Sequence, residues 1–501
     1  MSRDAMSQPE YFAAIDLGSN SFHLVIVRAL KGDLQTLFRH KERVRLASGL
    51  NDDNRLSQEA IKRGVEVLNV FAEQIKSLPN CRVMAVATHT LRVAINRREF
   101  LSAASTVFPY PIDIISGQEE ARLIYHGVAH DEQLEGNTLV IDIGGGSSEI
   151  VVGTGTNVLL ARSHQMGCVS FTHQFFSNGI SSSQYAIAKL EARQRLERFE
   201  AIFKHIGWQH VRITSGTAQA IVSAAQALDE SFQSLTLDHI CSIKAQLFNN
   251  PDHAIFNELT PERLGVLAAG LAIMEAIYEA LAITDSSFST SALREGLLHE
   301  ALEVDENLSV RGNSCHSLMQ RYHVDEQQAQ RVATTASEFW HAARDTWQLP
   351  NDSLKFLQFA AQLHEIGLNI NASGLHKHSA YIVTHSNLPG FSFEQQQLVA
   401  SLIRQHRKRI RPDLLSELQW VDINTQQKLI MILRLAVIWH LNRNPSPPPL
   451  PALEFNESGV QVRLQRKVFE PYPLLVADLT REVALCEASP EWPTLALDFH
   501  D

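Results

Sequence analysis

The chain has 501 residues, 45% hydrophobic and 20% charged, with a formal net charge of −11. Length alone predicts about three or four domains with sizeable cores. The acidic balance excludes polyanion binding driven by overall charge, so such a partner would need a local basic groove, and no nucleic acid is expected as a partner.

Residues 11–38 read as successive β-strands. Ser57–Leu78 has helical periodicity behind a serine cap, Arg82–Ala87 is a short apolar strand, Asn96–Ala104 is helical, Ile112–Ile115 is a strand and Gly117–Ala129 a helix. From Asn137 the order restarts: strand, glycine turn, two strands and a long helix over Ser182–His205. A strand at Val211–Thr214 enters a helix through SGT, and a last strand at Ser286–Ser289 turns through SALREG into a helix. Two similar α/β halves of this kind predict mixed sheets flanked by helices. Residues 314–443 read as packed helices. The run NPSPPPLP (Asn444–Pro451) marks a boundary, because consecutive prolines fit neither a helix nor a central strand. A β-hairpin, a helix near Val476–Cys486 and a final strand follow.

The five cysteines, Cys81, Cys168, Cys241, Cys315 and Cys486, form no CxxC pair. They predict reduced core residues in a cytoplasmic protein rather than a disulfide frame or a zinc site. The N-terminal MSRDAMSQPEYFAAID has no apolar signal core. Gly265–Ile283 carries Glu275 and Glu279, and Leu429–Leu441 is short and interrupted by Arg434, so no stable membrane insertion is expected.

The halves repeat one motif. AAIDLGSNSFHLVIV (Ala13–Val27) and LVIDIGGGSSEIVVG (Leu139–Gly153) superpose at an offset of 126 positions, which carries Asp16 onto Asp142, Gly18 onto Gly144, Ser21 onto Ser147 and His23 onto Glu149. Each is an apolar strand, an Asp, a Gly/Ser turn and a second strand. Small residues let backbone N–H groups face anionic oxygens, hydroxyls add donors, and the Asp can hold a cation. One Asp-x-Gly turn also suits a plain hairpin; two copies plus Thr214–Thr217 (TSGT) point to two turns facing one phosphate ligand. Glu149 would place a carboxylate beside it. In SGQEEARLIYHG, Glu119 and Glu120 occupy a first helical turn, where carboxylates complement the helix dipole, and either could instead orient and deprotonate water. Arg92 in THTLR follows a strand end, where a guanidinium could clamp phosphate. Arg294 pairs most simply with Glu295 or the helix surface. Two basic runs, FRHKERVRL (Phe38–Leu46) and RQHRKRIRP (Arg404–Pro412), read as solvated faces or, if convergent, as a polyanion track. His364, His376, His378 and His385 fit capping and loop roles better than a metal site.

Taken together, IDLGSNSFHLVIVR, THTLR, ISGQEEARLI, VIDIGGGSSEI, MGCVSF, SGT and ALREG resemble the exopolyphosphatase/guanosine pentaphosphate phosphohydrolase family. The likeness extends into LHEIGLNINASGLHKHSAYI and LPGFSFEQQQLVASLIRQHRKRI and is nearer the exopolyphosphatase branch. It implies a duplicated actin-like (sugar kinase/heat-shock ATPase) fold, then a helical HD-like domain without metal chemistry and a small C-terminal α/β domain, bounded at 1–130, 131–308, 309–444 and 445–501. It implies Glu120 as general base, and Glu149 and Asp142 beside the metal and water. Gly18, Ser19, Asn20, Ser21, Arg92, Gly144, Gly145, Gly146, Ser147, Ser148, Ser215, Gly216 and Thr217 would bind phosphate. The implied activity is metal-dependent, processive hydrolysis of terminal phosphate from inorganic polyphosphate, with Mg²⁺ as metal, K⁺ as a possible activator and a homodimeric assembly. Hydrolysis of guanosine pentaphosphate (pppGpp) to ppGpp is the alternative, and an ATP-dependent kinase of the same fold or a non-catalytic sensor are others. Ile213, Ser291 and Ala269 depart from the family pattern at positions expected to line the ligand side.

Overall fold

The structure is a computed structural model and describes residues 10–30, 33–133, 135–249, 256, 259–302, 310–489 and 491–500. The N-terminal nine residues and the expected boundary at 308/309 lie outside the described residues. By its internal contacts the chain divides into two units, residues 1–304 and 305–501.

The first unit opens with strands β1 (Glu10–Leu17), β2 (Ser21–Leu30) and β3 (Asp33–Arg43), then α1 (Gln58–Lys76), β4 (Arg82–Ala87), α2 (His89–Val93), α3 (Arg97–Ser105), β5 (Ile112–Ile114) and α4 (Gly117–Glu132). Phe12, Ala13, Ala14, Ile15 and Leu17 are all buried, as expected of a central strand covered on both faces. The sheet runs β3-β2-β1-β4-β5, antiparallel through the first three strands and parallel from β1 to β5.

The second half repeats the plan with β6 (Asn137–Ile143), β7 (Ser148–Thr154), β8 (Asn157–His164), α5 (Cys168–Phe175), α6 (Ser182–Ile206), β9 (His210–Thr214), α7 (Ser215–Leu228), β10 (Leu235–Thr236), α8 (Leu237–Asn249), α9 (Pro261–Leu281), β11 (Asp285–Phe288) and α10 (Leu293–Leu302). Its order, β8-β7-β6-β9-β11-β10, matches the first sheet strand for strand, with β10 added at the edge. This duplicated topology is the actin-like fold. One-turn α2, eight-residue α5 and two-residue β10 were not foreseen, because such short pieces show too little periodicity to read.

A shared layer of apolar residues lies between the sheets, with Phe12, Ala14 and Val25 on one side, Val140 and Val151 on the other, and Leu123, Ile124 and Leu297 of α4 and α10 between. The two helices approach at glycines. A Cβ on Gly296 would fall 1.9 Å from the Leu123 carbonyl oxygen, and one on Gly127 would fall 2.3 Å from that of Ala292. This close crossing packs the middle of α4 against the start of α10. Among the described residues α9 is the one helix long and apolar enough to cross a membrane, yet most of it is buried inside the second half. There Glu275 accepts from Tyr185, Lys189 and Lys244 at 2.6, 2.9 and 2.8 Å.

The second unit packs α11 (Val310–Arg321), α12 (Glu326–Trp347), α13 (Ser353–Leu363), α14 (Leu375–His385), α15 (Phe393–Gln405) and α16 (Ile423–Trp439). After the proline run come β12 (Ala452–Asn456), β13 (Gly459–Gln465), α17 (Arg466–Phe469), α18 (Pro473–Glu487) and β14 (Thr494–His500), with a three-stranded sheet ordered β12-β13-β14. One core joins helices and sheet, and the buried Arg434 guanidinium binds Glu482 while donating to the Gln405 and Lys408 carbonyls. His364 caps α13, its Nδ1 2.7 Å from the Ala361 carbonyl, and His385 in the last turn of α14 packs on the Tyr381 ring. Among the described residues no group of three or more His, Cys, Asp or Glu is placed to hold a metal on its own.

Candidate active site

The two glycine turns are the tips of equivalent hairpins. In β1/β2 Asp16 stands opposite His23, and in β6/β7 Asp142 stands opposite Glu149, the same correspondence the sequence offset gives. The second tip is closed by a 2.9 Å bond from Gly144 N–H to the Ser147 carbonyl. The tips meet: a Cβ on Gly145 would lie 3.1 Å from Ser19 Cβ. A third element arrives where β9 enters α7. Ser215 sits in the left-handed region (φ 92°), donates its hydroxyl to the Ile143 carbonyl at 2.9 Å, and accepts from the Thr217 and Ala218 amides. A non-glycine residue held there is strained, a condition concentrated at functional sites.

All three elements open onto one cavity of about 690 Å³, lined by Gly18–Ser21, Gly144–Ser147, Ser215–Thr217, Asp142 and Glu120. Three of the expected residues lie outside its lining. Ser148 is fully buried and donates to the Met166 carbonyl, so it fixes the hairpin. Glu149 is 1% exposed and accepts from Ser163 Oγ at 2.7 Å. Arg92 stands behind Glu120, donating to its Oε2 at 3.0 Å and to the Ile115 carbonyl at 2.9 Å.

The paired glutamates part company in space. Glu119 receives two bonds from Arg122, at 2.8 and 2.7 Å, and that guanidinium also binds Glu300. Glu119 is thus held in a buried ion network. Glu120, one residue on, turns into the cleft.

Four carboxylates, Asp16, Glu120, Asp142 and Glu149, gather here. Burial, then Glu120 and Asp16, lift the Asp142 pKa to about 7 against the pull of Arg294. Burial likewise lifts Asp16 to about 7, again opposed by Arg294, and its Oδ1 is buried without a hydrogen-bond partner. Glu120 is raised by burial and pulled back by Arg92. Glu149 is raised well above the ordinary range by burial, Glu120 and Asp142.

A cationic wall faces them. Arg294 was read as pairing with Glu295 or the helix surface; instead it lines the cleft, its Nη1 2.8 Å from His23 Nδ1, because α10 begins at the strand ends and aims its first turn inward. Lys41, Arg43 and Arg45, from the first basic run, also line the cavity, as does Arg263. Strand alternation puts Lys41 and Arg43 on one face of β3, and Arg43 meets Glu262 at 2.8 Å. Asp16 and His23 were visible in the repeat as the partners of Asp142 and Glu149, though not chosen as site residues, whereas nothing in the sequence pointed to Arg263. None of the three departures lines the cavity. Ile213 and Ala269 are fully buried in the second half's core, and the Ser291 hydroxyl donates to Asp131.

Twin Asp-bearing glycine turns and a cationic wall around one cavity, on a duplicated actin-like frame, form a cleft suited to phosphate. The Ppx/GppA phosphatase family model matches residues 25–304 and the model of Ppx/GppA phosphatase domain III matches residues 310–483, and the chain belongs to this family. It is therefore a phosphoanhydride hydrolase of the exopolyphosphatase or guanosine pentaphosphate phosphohydrolase type. Solved structures share the fold. The PPX-GPPA enzyme of Aquifex aeolicus is 24% identical with a TM-score of 0.51, over 58% of this chain and 99% of that one. An exopolyphosphatase from Cytophaga hutchinsonii is 22% identical with a TM-score of 0.54, over 58% and 98%.

Proposed function

We propose that the chain is an exopolyphosphatase, releasing orthophosphate from the end of inorganic polyphosphate with Glu120 as the general base. The observation that carries this reading is that Glu120 and both glycine turns line a single cavity. Five cations, Lys41, Arg43, Arg45, Arg263 and Arg294, line the same cavity in a protein of net charge −11, which suits a densely charged phosphate chain. Hydrolysis of pppGpp would use the same base and turns with a nucleoside held on the outer wall. Membership of a phosphatase family supports water over a sugar alcohol as acceptor, against the kinase and sensor readings.

The terminal phosphate sits against the amides of Gly145–Ser147 and Gly18–Ser21, which meet charge as it develops on its oxygens. Water placed opposite the leaving oxygen gives its proton to Glu120, whose burial makes it a stronger base than an ordinary glutamate. Arg92 holds that carboxylate in line and favours its ionised form against the effect of burial. Arg294 and Arg263 take up charge along the chain.

Family membership supports a divalent metal, and we assign Mg²⁺, with K⁺ as an activator. The residues fit such an ion: Asp16 and Asp142 are buried carboxylates lifted towards neutrality, and Asp16 Oδ1 has no partner. No all-protein cage is present among the described residues, in keeping with Mg²⁺, which takes one or two carboxylates and fills its shell with water and phosphate oxygens. Asp142 and Asp16 would hold it with Glu149 behind them, and when bound it supplies Lewis-acid stabilisation of the phosphoryl oxygens. The five unpaired cysteines suit a reducing, cytoplasmic setting, and a homodimeric assembly is part of the proposal.

The test is phosphate release from polyphosphates of graded length beside release from pppGpp. A kcat/KM that rises with chain length and exceeds that for pppGpp supports the polyphosphate assignment; the reverse order assigns the nucleotide.

A further inference from the structure

Helix α2, the THTLR segment, touches three parts of the cleft at once. Thr90 Oγ1 donates to Ser19 Oγ of the first turn at 2.8 Å, and Arg92 donates to Glu120. The third contact is made by His89, whose imidazole lies against the second turn. A Cβ on Gly146 would fall 2.5 Å from its Cδ2 and 2.7 Å from its Cγ. Only a glycine leaves room for that ring, so Gly146 and His89 interlock.

His89 lines the cavity, yet its Nδ1 is buried with no hydrogen-bond partner. Buried polar atoms in folded proteins are nearly always paired, and an orphan needs a reason such as a ligand that completes it. We propose that His89 is a substrate-contacting residue, its imidazole donating an N–H to a phosphoryl oxygen seated on the Gly144–Ser147 turn. The proposal rests on the reading of this cavity as the hydrolytic site.

The chemistry of the wall says why an imidazole is useful there. Cations already face the phosphate chain from Lys41, Arg43, Arg45, Arg263 and Arg294. Another fixed charge would strengthen retention of orthophosphate as much as binding of substrate, which gains nothing in turnover. A neutral imidazole adds a directed hydrogen bond without that penalty. Burial, helped by the neighbouring Arg92, holds His89 near a pKa of about 4, so it enters the cleft uncharged. It then has one N–H to give, and the tautomer follows whichever nitrogen faces the anion.

The experiment compares wild type, His89→Phe, His89→Gln and Glu120→Gln in the full chain. Three quantities are read: the Kd for methylenediphosphonate, kcat and KM for polyphosphate, and the melting temperature. Phenylalanine keeps the packing on Gly146 and loses the donor; glutamine keeps a donor and loses the ring. A donated bond to a charged oxygen predicts that His89→Phe weakens diphosphonate binding and lowers kcat/KM by about 10- to 100-fold at unchanged melting temperature. His89→Gln then recovers both to within about 5-fold of wild type. A packing role predicts the opposite order, with phenylalanine tolerated and glutamine not, and that result overturns the proposal. Wild-type values for both variants, or equal losses with a lowered melting temperature, overturn it too. Full activity in Glu120→Gln would instead sink the hydrolytic reading, while diphosphonate binding still reports on His89 separately.

Discussion

Arg92 Nη1 and Glu120 Oε2 are 3.0 Å apart, and the same guanidinium is pinned to the Ile115 carbonyl. Burial raises the Glu120 pKa and Arg92 lowers it, so the pair sets where the base becomes ionised. Removing the cation takes away the lowering influence, so the Glu120 pKa climbs. In Arg92→Ala the acidic limb of the kcat/KM profile therefore moves to higher pH, costing about 10-fold per unit below it. A limb that stays in place would show that Glu120 is not the titrating base.

Asp16 and Asp142 make stability depend on pH and on metal. Both are lifted to about 7 in the folded chain, from about 4 when unfolded. A raised carboxyl pKa means the folded form holds the proton more tightly, so its contribution to stability is intact below about pH 4 and lost as pH rises through about 7. Asp142→Asn should raise the melting temperature at pH 8 and leave it unchanged at pH 4. Mg²⁺ at pH 8 should raise the melting temperature of wild type more than that of the variant. Equal shifts at both pH values would contradict this.

Gly167, in the MGCVSF segment, packs directly on the second turn. A Cβ there would lie 2.3 Å from both the carbonyl carbon and oxygen of Gly145. Gly167→Ala must displace the turn, and phosphate release should drop by at least about 10-fold. Gly265→Ala, on α9 with nothing within 4 Å, is the matched control and should be active and slightly more stable.

Glu275 is the buried carboxylate of the apolar helix α9, satisfied by three donors. Glu275→Ala strands Lys244, leaves Lys189 with Glu279 alone and removes the partner of the Tyr185 hydroxyl. The expected loss is about 1–3 kcal/mol, read by urea denaturation, with KM for substrate unchanged.

The repeat made both turns legible, since the Asp16/Asp142 offset is written in the residues and the fold preserves it as register. Glu119 and Glu120 stayed equivalent on the sequence alone, because what separates them is Arg122, one helical turn away and shared with Glu300. Arg294 was misplaced for a related reason: neighbouring Glu295 offered a local pairing, while its contact with His23 spans most of the first unit. The basic run on β3 was visible as charge, but strand alternation decides which of its side chains face the cavity. His89 carried no signal, as its role comes from contact with Gly146, remote in sequence.

The most direct measurement is orthophosphate release from long-chain polyphosphate with Mg²⁺ by wild type and Glu120→Gln, alongside their melting curves. The account predicts that the variant folds with an equal or higher melting temperature, still binds diphosphonate, and loses at least about 100-fold in kcat. A well-folded Glu120→Gln that releases phosphate at the wild-type rate would contradict it.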